Sequence, residues 1–224
     1  MVNFKEKNLI IFDLDGTLIN SIPDLTLAIN KMLLQYKLLP LTVEEVTPFI
    51  GNGAKHLVKR ALEHAIPDQK TAIELLEQAI VTFFSAYQEV ICNDTYLYPG
   101  VLETLKYLNK KKYQLVICTN KPFAFIEPIL DKLSIKQFFS CWIGGDSLAH
   151  QKPDPAPLIY LANEVNITLD KCVMVGDSKN DILAAQKAGI TNIGMSYGYN
   201  YNENIADYNP TIVADNFIEL QDIF

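Results

Sequence analysis

Apolar positions along this chain change their period twice. Leu9-Ile10-Ile11-Phe12 is a short uninterrupted apolar run with two β-branched members and an aromatic one, which reads as a strand covered on both faces. From Ser21 to about Val90 the spacing is helical throughout. Segments near 22–36, 42–50, 54–65 and 69–91 are separated by Leu39-Pro40, Gly51-Asn52-Gly53 and Pro67-Asp68. Ser21, followed three residues on by Asp24, has the composition of a capped helix start. Tyr98-Pro99-Gly100 ends this regime, and helices and short apolar runs then alternate. The pattern predicts helices over 101–111, 122–133, 155–166 and 179–188, and strands over 113–118, 140–143, 172–175, 191–195 and 211–213. Such alternation predicts an α/β fold, a Rossmann-like doubly wound parallel sheet with helices on both faces. The helical stretch inserted after the first strand predicts an all-helical cap above the carboxyl edge of that sheet. The expected division is a core of residues 1–20 and 97–224 and a cap of 21–96.

Composition narrows the class. The 224 residues are 49% hydrophobic and 20% charged, the balance of an ordinary globular protein long enough for a core and a small accessory domain. Net charge is −7, without the basic stripe that nucleic-acid binding needs; Lys110-Lys111-Lys112 reads as a solvated helix end. No apolar run approaches the ~20 residues of a membrane span, and Met1-Val2-Asn3-Phe4-Lys5-Glu6 lacks the pattern of a secretory signal. The cysteines at 92, 118, 141 and 172 are unpaired by spacing, and Cys118 and Cys172 read as small core residues. The expectation is a reduced, cytoplasmic enzyme.

The candidate chemistry lies where the predicted strands end, since open parallel sheets bind ligands outside their carboxyl edges. The first strand runs into Asp13-Leu14-Asp15-Gly16-Thr17. Two carboxylates delivered by a buried strand lose solvation and repel each other, and a divalent cation is the simplest compensation. Alone, this Asp-x-Asp-Gly also fits a calcium loop or a plain turn. The second strand leads to Thr119-Asn120-Lys121-Pro122, a hydroxyl and an amide at a helix start, suited to an oxyanion and equally to capping. The third leads to Lys152, on a loop stiffened by Pro153 and Pro155. The fourth ends in Gly176-Asp177-Ser178-Lys179-Asn180-Asp181, where acids four residues apart can face one point. Jointly these ends compose a magnesium and phosphate site, because hard carboxylate oxygens suit Mg²⁺ and Mg²⁺ takes a phosphate oxygen.

In chain order, Asp-x-Asp-Gly-Thr, Thr-Asn, Lys-Pro and Gly-Asp-x-x-x-Asp resemble the motifs of the haloacid dehalogenase-like superfamily of phosphohydrolases. The likeness covers nearly the whole chain, and the helical insertion is similar to that of the subclass capped after the first motif. More narrowly, Ile50-Gly51-Asn52-Gly53-Ala54, Thr119-Asn120-Lys121-Pro122, Ile143-Gly144-Gly145-Asp146, Gly176-Asp177-Ser178-Lys179-Asn180-Asp181 and Tyr197-Gly198-Tyr199-Asn200 are similar to bacterial members that act on 2-phosphoglycolate. The resemblance implies that Asp13 attacks phosphorus and forms an aspartyl-phosphate, and that Asp15 first protonates the leaving alkoxide and then activates water. It implies Mg²⁺ on Asp13, on the backbone carbonyl of Asp15 and on Asp177, with Asp181 ordering the metal's shell. Thr119, Asn120 and Lys152 are expected to hold phosphoryl oxygens.

Substrate choice then falls to the cap. Gly51-Asn52-Gly53 opens a helix whose N–H groups, with Lys55 or His56 nearby, suit a second anion such as a carboxylate. Lys121 is another candidate. Lys59 reads as solvated, His64 and His150 as surface residues without a partner, and Trp142 and Phe83-Phe84 as packing. The expected partner is a small phosphate ester, with no nucleic acid and no membrane, for a monomer or small homo-oligomer. Three alternatives share the motifs: a phosphatase of sugar phosphates or nucleotides, a phosphomutase, and a receiver-like phosphoprotein. Asp15 argues against the last, which gains nothing from an adjacent acid-base group.

Overall fold

The computed structural model describes residues 4–224, so the first three residues of the N-terminal stretch considered above lie outside the described residues. The apolar run forms β1 (Leu9–Phe12), all four side chains buried. After β2 (Ile19–Asn20) come α1 (Ile22–Gln35), α2 (Val43–Val46), α3 (Ala54–Ala65) and α4 (Gln69–Val90), then β3 (Tyr96–Leu97). The alternating half follows as α5 (Val101–Lys110), β4 (Gln114–Cys118), α6 (Ile126–Lys132), β5 (Cys141–Ile143), α7 (Ala156–Glu164), β6 (Cys172–Gly176), α8 (Lys179–Ala188), β7 (Thr191–Met195), β8 (Ile212–Ala214) and α9 (Leu220–Ile223).

Six strands form one parallel sheet in the order β5-β4-β1-β6-β7-β8. The chain builds outward from β1 on one side and returns to build outward on the other, so strand order reverses beside β1 and a crevice opens at its carboxyl end. Alternate residues of β1 serve opposite faces. Leu9 and Ile11 pack with Val116, Met174, Leu158 of α7 and Ala184 of α8. Ile10 and Phe12 pack with Ile117, Val175, Leu105 of α5 and Phe217. A strand buried this way needs apolar residues at every position, and each contributes roughly 1.5–3 kcal/mol by leaving water.

β2 and β3 form an antiparallel ribbon, Ile19 facing Leu97 and Asn20 facing Tyr96, through which the chain leaves the sheet and returns. Two residues per strand carry no periodicity, and neither was expected. At this neck the Asp24 carboxylate, fully buried, accepts hydrogen bonds from the N–H groups of Asp94 (3.0 Å) and Thr95 (2.9 Å) and from the Thr95 hydroxyl (2.5 Å). The expected Ser21 cap is corrected here. The Ser21 side chain makes no capping bond and donates to Asp15 Oδ1 at 2.5 Å instead. In the helical unit α4 packs against α1 and α3, and Tyr87 of α4 meets Phe125 edge-on at 4.9 Å, joining it to the sheet-bearing half.

Among the described residues no helix is long and apolar enough to cross a membrane, and all four cysteines are free. Cys118 and Cys172 are core residues as expected.

Candidate active site

Strands β1, β4 and β6, the first, second and fourth of the sheet in chain order, bring their acids and hydroxyls to one edge. Asp13 follows β1, Thr119 follows β4, and Asp177 follows β6, whose turn leads into α8. That turn explains Asp181. Ser178 caps α8, and Asp181 closes a capping box, accepting from the Ser178 N–H at 3.0 Å and hydroxyl at 2.8 Å. Its other oxygen, Oδ1, receives the Lys152 ammonium at 2.6 Å. Asp181 therefore both caps the helix and faces the cluster, one job with each oxygen.

Asp13, Asp177 and Asp181 offer oxygens that lie within 4.8 Å of one another, and all three residues are buried. Among the described residues one cation faces them. Lys152, only 2% exposed, sits 2.9 Å from Asp13 Oδ1 and 2.6 Å from Asp181. It approaches Asp13 Oδ1 as an ion pair off the hydrogen-bonding direction, so that oxygen has no aligned donor. When ionised, three carboxylates against one ammonium leave two negative charges in a dry cluster. Burial pushes the Asp13 carboxyl up to about 7, and repulsion from Asp181 adds to this while Lys152 opposes it. Asp177 is held well above the usual carboxylate range by burial and then by Asp13 and Asp181. Burial alone would lower the Lys152 ammonium, but the two carboxylates outweigh it and hold the pKa above its ordinary value.

Asp177 is fixed by residues distant in sequence. Thr17 Oγ1 donates to its Oδ1 and the Tyr199 N–H to its Oδ2, both at 2.6 Å. Gly16, at φ +91°, and Gly198 lie so close to this carboxylate that a Cβ on either would collide with it. The missing side chains at those positions are therefore room for the acid. The motif order gave a hint of Thr17, directly after Gly16, but nothing marked Tyr199 as an orienting donor. The donor set, hard oxygens with one orphaned and a surplus of negative charge, fits a divalent cation.

Asp15 stands apart from that trio. Its oxygens face the Lys121 ammonium at 3.0 and 3.1 Å and the Ser21 hydroxyl, beside a cleft of about 500 Å³ that opens to solvent. Asp13, Thr119, Asn120, Gly51 and Gly53 also line the cleft, with Leu57, Phe83, Tyr87 and Phe125 as an apolar wall. Phe83, expected as packing alone, is thus also wall.

Several expected residues sit differently. Both protons of the Asn120 amide are committed, to the carbonyls of Gly51 (3.0 Å) and Lys152 (2.9 Å), so this side chain ties the strand end to the helical unit. Its Oδ1 is buried without a partner. Thr119 Oγ1 accepts from the Lys121 N–H at 3.2 Å, which leaves its own proton to donate. Lys55 and His56 are corrected, because both are exposed and neither lines the cleft. Lys55 reaches outward to Glu77 at 3.0 Å: helical spacing carries positions 55 and 56 away from the face where Ala54 and Leu57 meet the cleft. Asn52 turns to Arg60, whose guanidinium donates to its Oδ1 at 2.8 Å. His64 is corrected too, for it pairs with Glu45 at 3.4 Å and lies against Phe49. His150 and Lys59 are exposed as expected, and Trp142 is half-buried against the core.

The family model described as haloacid dehalogenase-like hydrolase matches residues 10–195. The chain belongs to that family. It is 44% identical over 220 residues to the phosphoglycolate phosphatase of Colwellia psychrerythraea strain 34H, covering 98% of this chain and 97% of that one. It is 42% identical over 212 residues to phosphoglycolate phosphatase 1 of Pseudomonas aeruginosa PAO1, covering 95% and 78%. The crystal structure of a predicted phosphoglycolate phosphatase from Haemophilus somnus 129PT superposes with a TM-score of 0.91 at 41% identity, covering 97% and 98%. The doubly wound sheet of this hydrolase is thus the family's own fold, and the acids described above sit at its reversal point.

Proposed function

We propose that this hydrolase is a Mg²⁺-dependent phosphatase that converts 2-phosphoglycolate to glycolate and phosphate. The observation that carries the reading is the buried trio Asp13, Asp177 and Asp181 with the Lys152 ammonium against it, Asp13 lining the cleft that also presents Asp15. The names and the 42–44% identity of the relatives support the substrate. Asp13, Asp177 and the backbone carbonyl of Asp15 would hold the ion, with Asp181 ordering its surroundings. When bound, the magnesium offsets the carboxylate repulsion and the charge of the phosphoryl group.

In this reading an Asp13 oxygen attacks phosphorus, forming a P–O bond as the ester oxygen leaves and takes a proton from Asp15. Asp15, now a carboxylate, draws a proton from water as that water attacks phosphorus and frees Asp13. Lys152 and the Thr119 hydroxyl hold phosphoryl oxygens, and Asn120 contributes its main-chain N–H because its amide is occupied elsewhere. Residues 21–96 act as the cap that shuts water out, while 1–20 and 97–224 carry the chemistry.

The test is phosphate release from a panel of small esters (2-phosphoglycolate, hexose phosphates, nucleotides) with Mg²⁺ or with EDTA, for the wild type and Asp13→Asn. Preference for 2-phosphoglycolate, strict need for Mg²⁺, and loss of at least ~10³-fold in Asp13→Asn are expected. Faster turnover of hexose phosphates or nucleotides, or appearance of an isomeric phosphate ester in place of free phosphate, would assign the cleft to another substrate or to a mutase.

A further inference from the structure

Among the described residues lining the cleft, Lys121 is the one cation. Its side chain is 3% exposed. The ammonium meets both oxygens of Asp15 and lies 4.8 Å from the centroid of the Tyr87 ring. Tyr87 is 1% exposed, and its hydroxyl, beside that ammonium, makes no hydrogen bond of standard geometry. An ammonium can only donate, so the proton of this buried hydroxyl has no acceptor, which is costly unless a ligand supplies one. Around this polar pair the wall is hydrocarbon, from Leu57, Phe83 and Phe125. Neutral hydroxyls of a sugar would lose water there without a charged partner. A carboxylate would gain an ammonium and a hydroxyl together.

The ammonium is not vacant, however. Asp15 occupies it through both oxygens, and Asp15 in that position cannot also turn to an ester oxygen bound over Asp13. An arriving carboxylate and Asp15 therefore compete for one cation. If the newcomer wins, Asp15 keeps its contact with the Ser21 hydroxyl and is freed on the side facing the cleft.

We propose that Lys121 is the specificity-determining residue of this cleft: its ammonium and the Tyr87 hydroxyl receive the carboxylate of the substrate, and by exchanging Asp15 for that carboxylate they release Asp15 to the ester oxygen. This rests on the phosphatase reading above and deepens it. Selection of this kind falls on kcat as well as KM, because the same contact both binds the substrate and completes the reacting geometry.

The test compares 2-phosphoglycolate with ethyl phosphate, the two-carbon ester lacking the carboxylate, in wild type, Lys121→Met, Lys121→Arg and Tyr87→Phe, all with Mg²⁺. The wild-type ratio of kcat/KM between the two esters is expected to exceed about 100, and Lys121→Met to lower that ratio by about 100-fold, with kcat and KM for 2-phosphoglycolate both affected. Lys121→Arg restores part of the ratio, and Tyr87→Phe raises KM for 2-phosphoglycolate by about tenfold. Equal losses on both esters in Lys121→Met would reduce Lys121 to a support for Asp15 and overturn the inference. Wild-type rates on both esters in Lys121→Met would overturn it as well, with the substrate reading intact. A wild type without preference between the esters would sink both. If circular dichroism shows that Lys121→Met does not fold, Tyr87→Phe decides, and an unmoved KM there overturns the inference.

Discussion

Replacing Lys152 by Met probes the assembly directly. Among the described residues Lys152 is the sole ammonium against three buried acids, 2.9 Å from Asp13 and 2.6 Å from Asp181. At an effective dielectric of about 20, each contact carries roughly 6 kcal/mol of Coulomb attraction, much of it offset by desolvation. Removing one partner of such a pair leaves uncompensated buried charge, which costs about 3–5 kcal/mol. For a chain of this length, each kcal/mol shifts the melting temperature by about 2–4 °C, so Lys152→Met in EDTA should melt about 6–20 °C below wild type. Magnesium should return part of that loss, about 2.7 kcal/mol at a hundredfold excess over its dissociation constant. The rise on adding Mg²⁺ should be larger in the variant, whose cluster has lost its competing cation. Thermal melts of both proteins in EDTA and in Mg²⁺ measure all four states. A variant that melts within about 2 °C of wild type in EDTA would show that the three acids do not depend on one ammonium, and the charge argument would fall.

Three further outcomes follow from the same contacts. The Asp13 carboxyl is raised from 3.8 to about 7 in the folded protein, so the folded chain holds a proton there that the unfolded chain releases. In EDTA the contribution of this group to stability is present below pH 4, is lost as pH rises to 7, and amounts to about 4 kcal/mol; the fall should shrink with Mg²⁺ and in Asp13→Asn, as melts across pH would show. Gly198→Ala puts a methyl group against the Asp177 carboxylate, so Mg²⁺ affinity by calorimetry should drop at least about tenfold with the fold retained by circular dichroism, and unchanged affinity would contradict the packing. Asp15→Asn should lower turnover by about 10²–10⁴-fold while phosphorylated chain accumulates from esters with good leaving groups, detectable by intact mass; wild-type turnover would remove Asp15 from proton transfer.

Much of the architecture was legible because its signals are local. An apolar run at every position marks a strand buried on both faces, and helical spacing from Ser21 to Val90 marks an insertion. The elements at 54–65, 69–90 and 179–188 lie where periodicity and capping put them. The β2–β3 ribbon was invisible, being two residues per strand held by partners 76 and 78 positions away. The acids were legible as a group because strand ends of one parallel sheet share an edge, whatever the side chains then do.

What those side chains do was settled by partners distant in sequence. Ser21 looks like a cap and serves Asp15; Asn120 looks like an anion donor and holds Gly51; His64 looks solitary and pairs with Glu45. Lys55 and Lys121 are equally plausible anion receivers on composition, yet one reaches into solvent and the other is buried over an aromatic ring. The sequence by itself determined which groups reach the sheet edge, because backbone periodicity is a property of neighbours along the chain. Only the tertiary structure decided which hydrogen bonds and charges those groups still have to offer, because a donor or an ammonium is used up by whatever folding brings beside it.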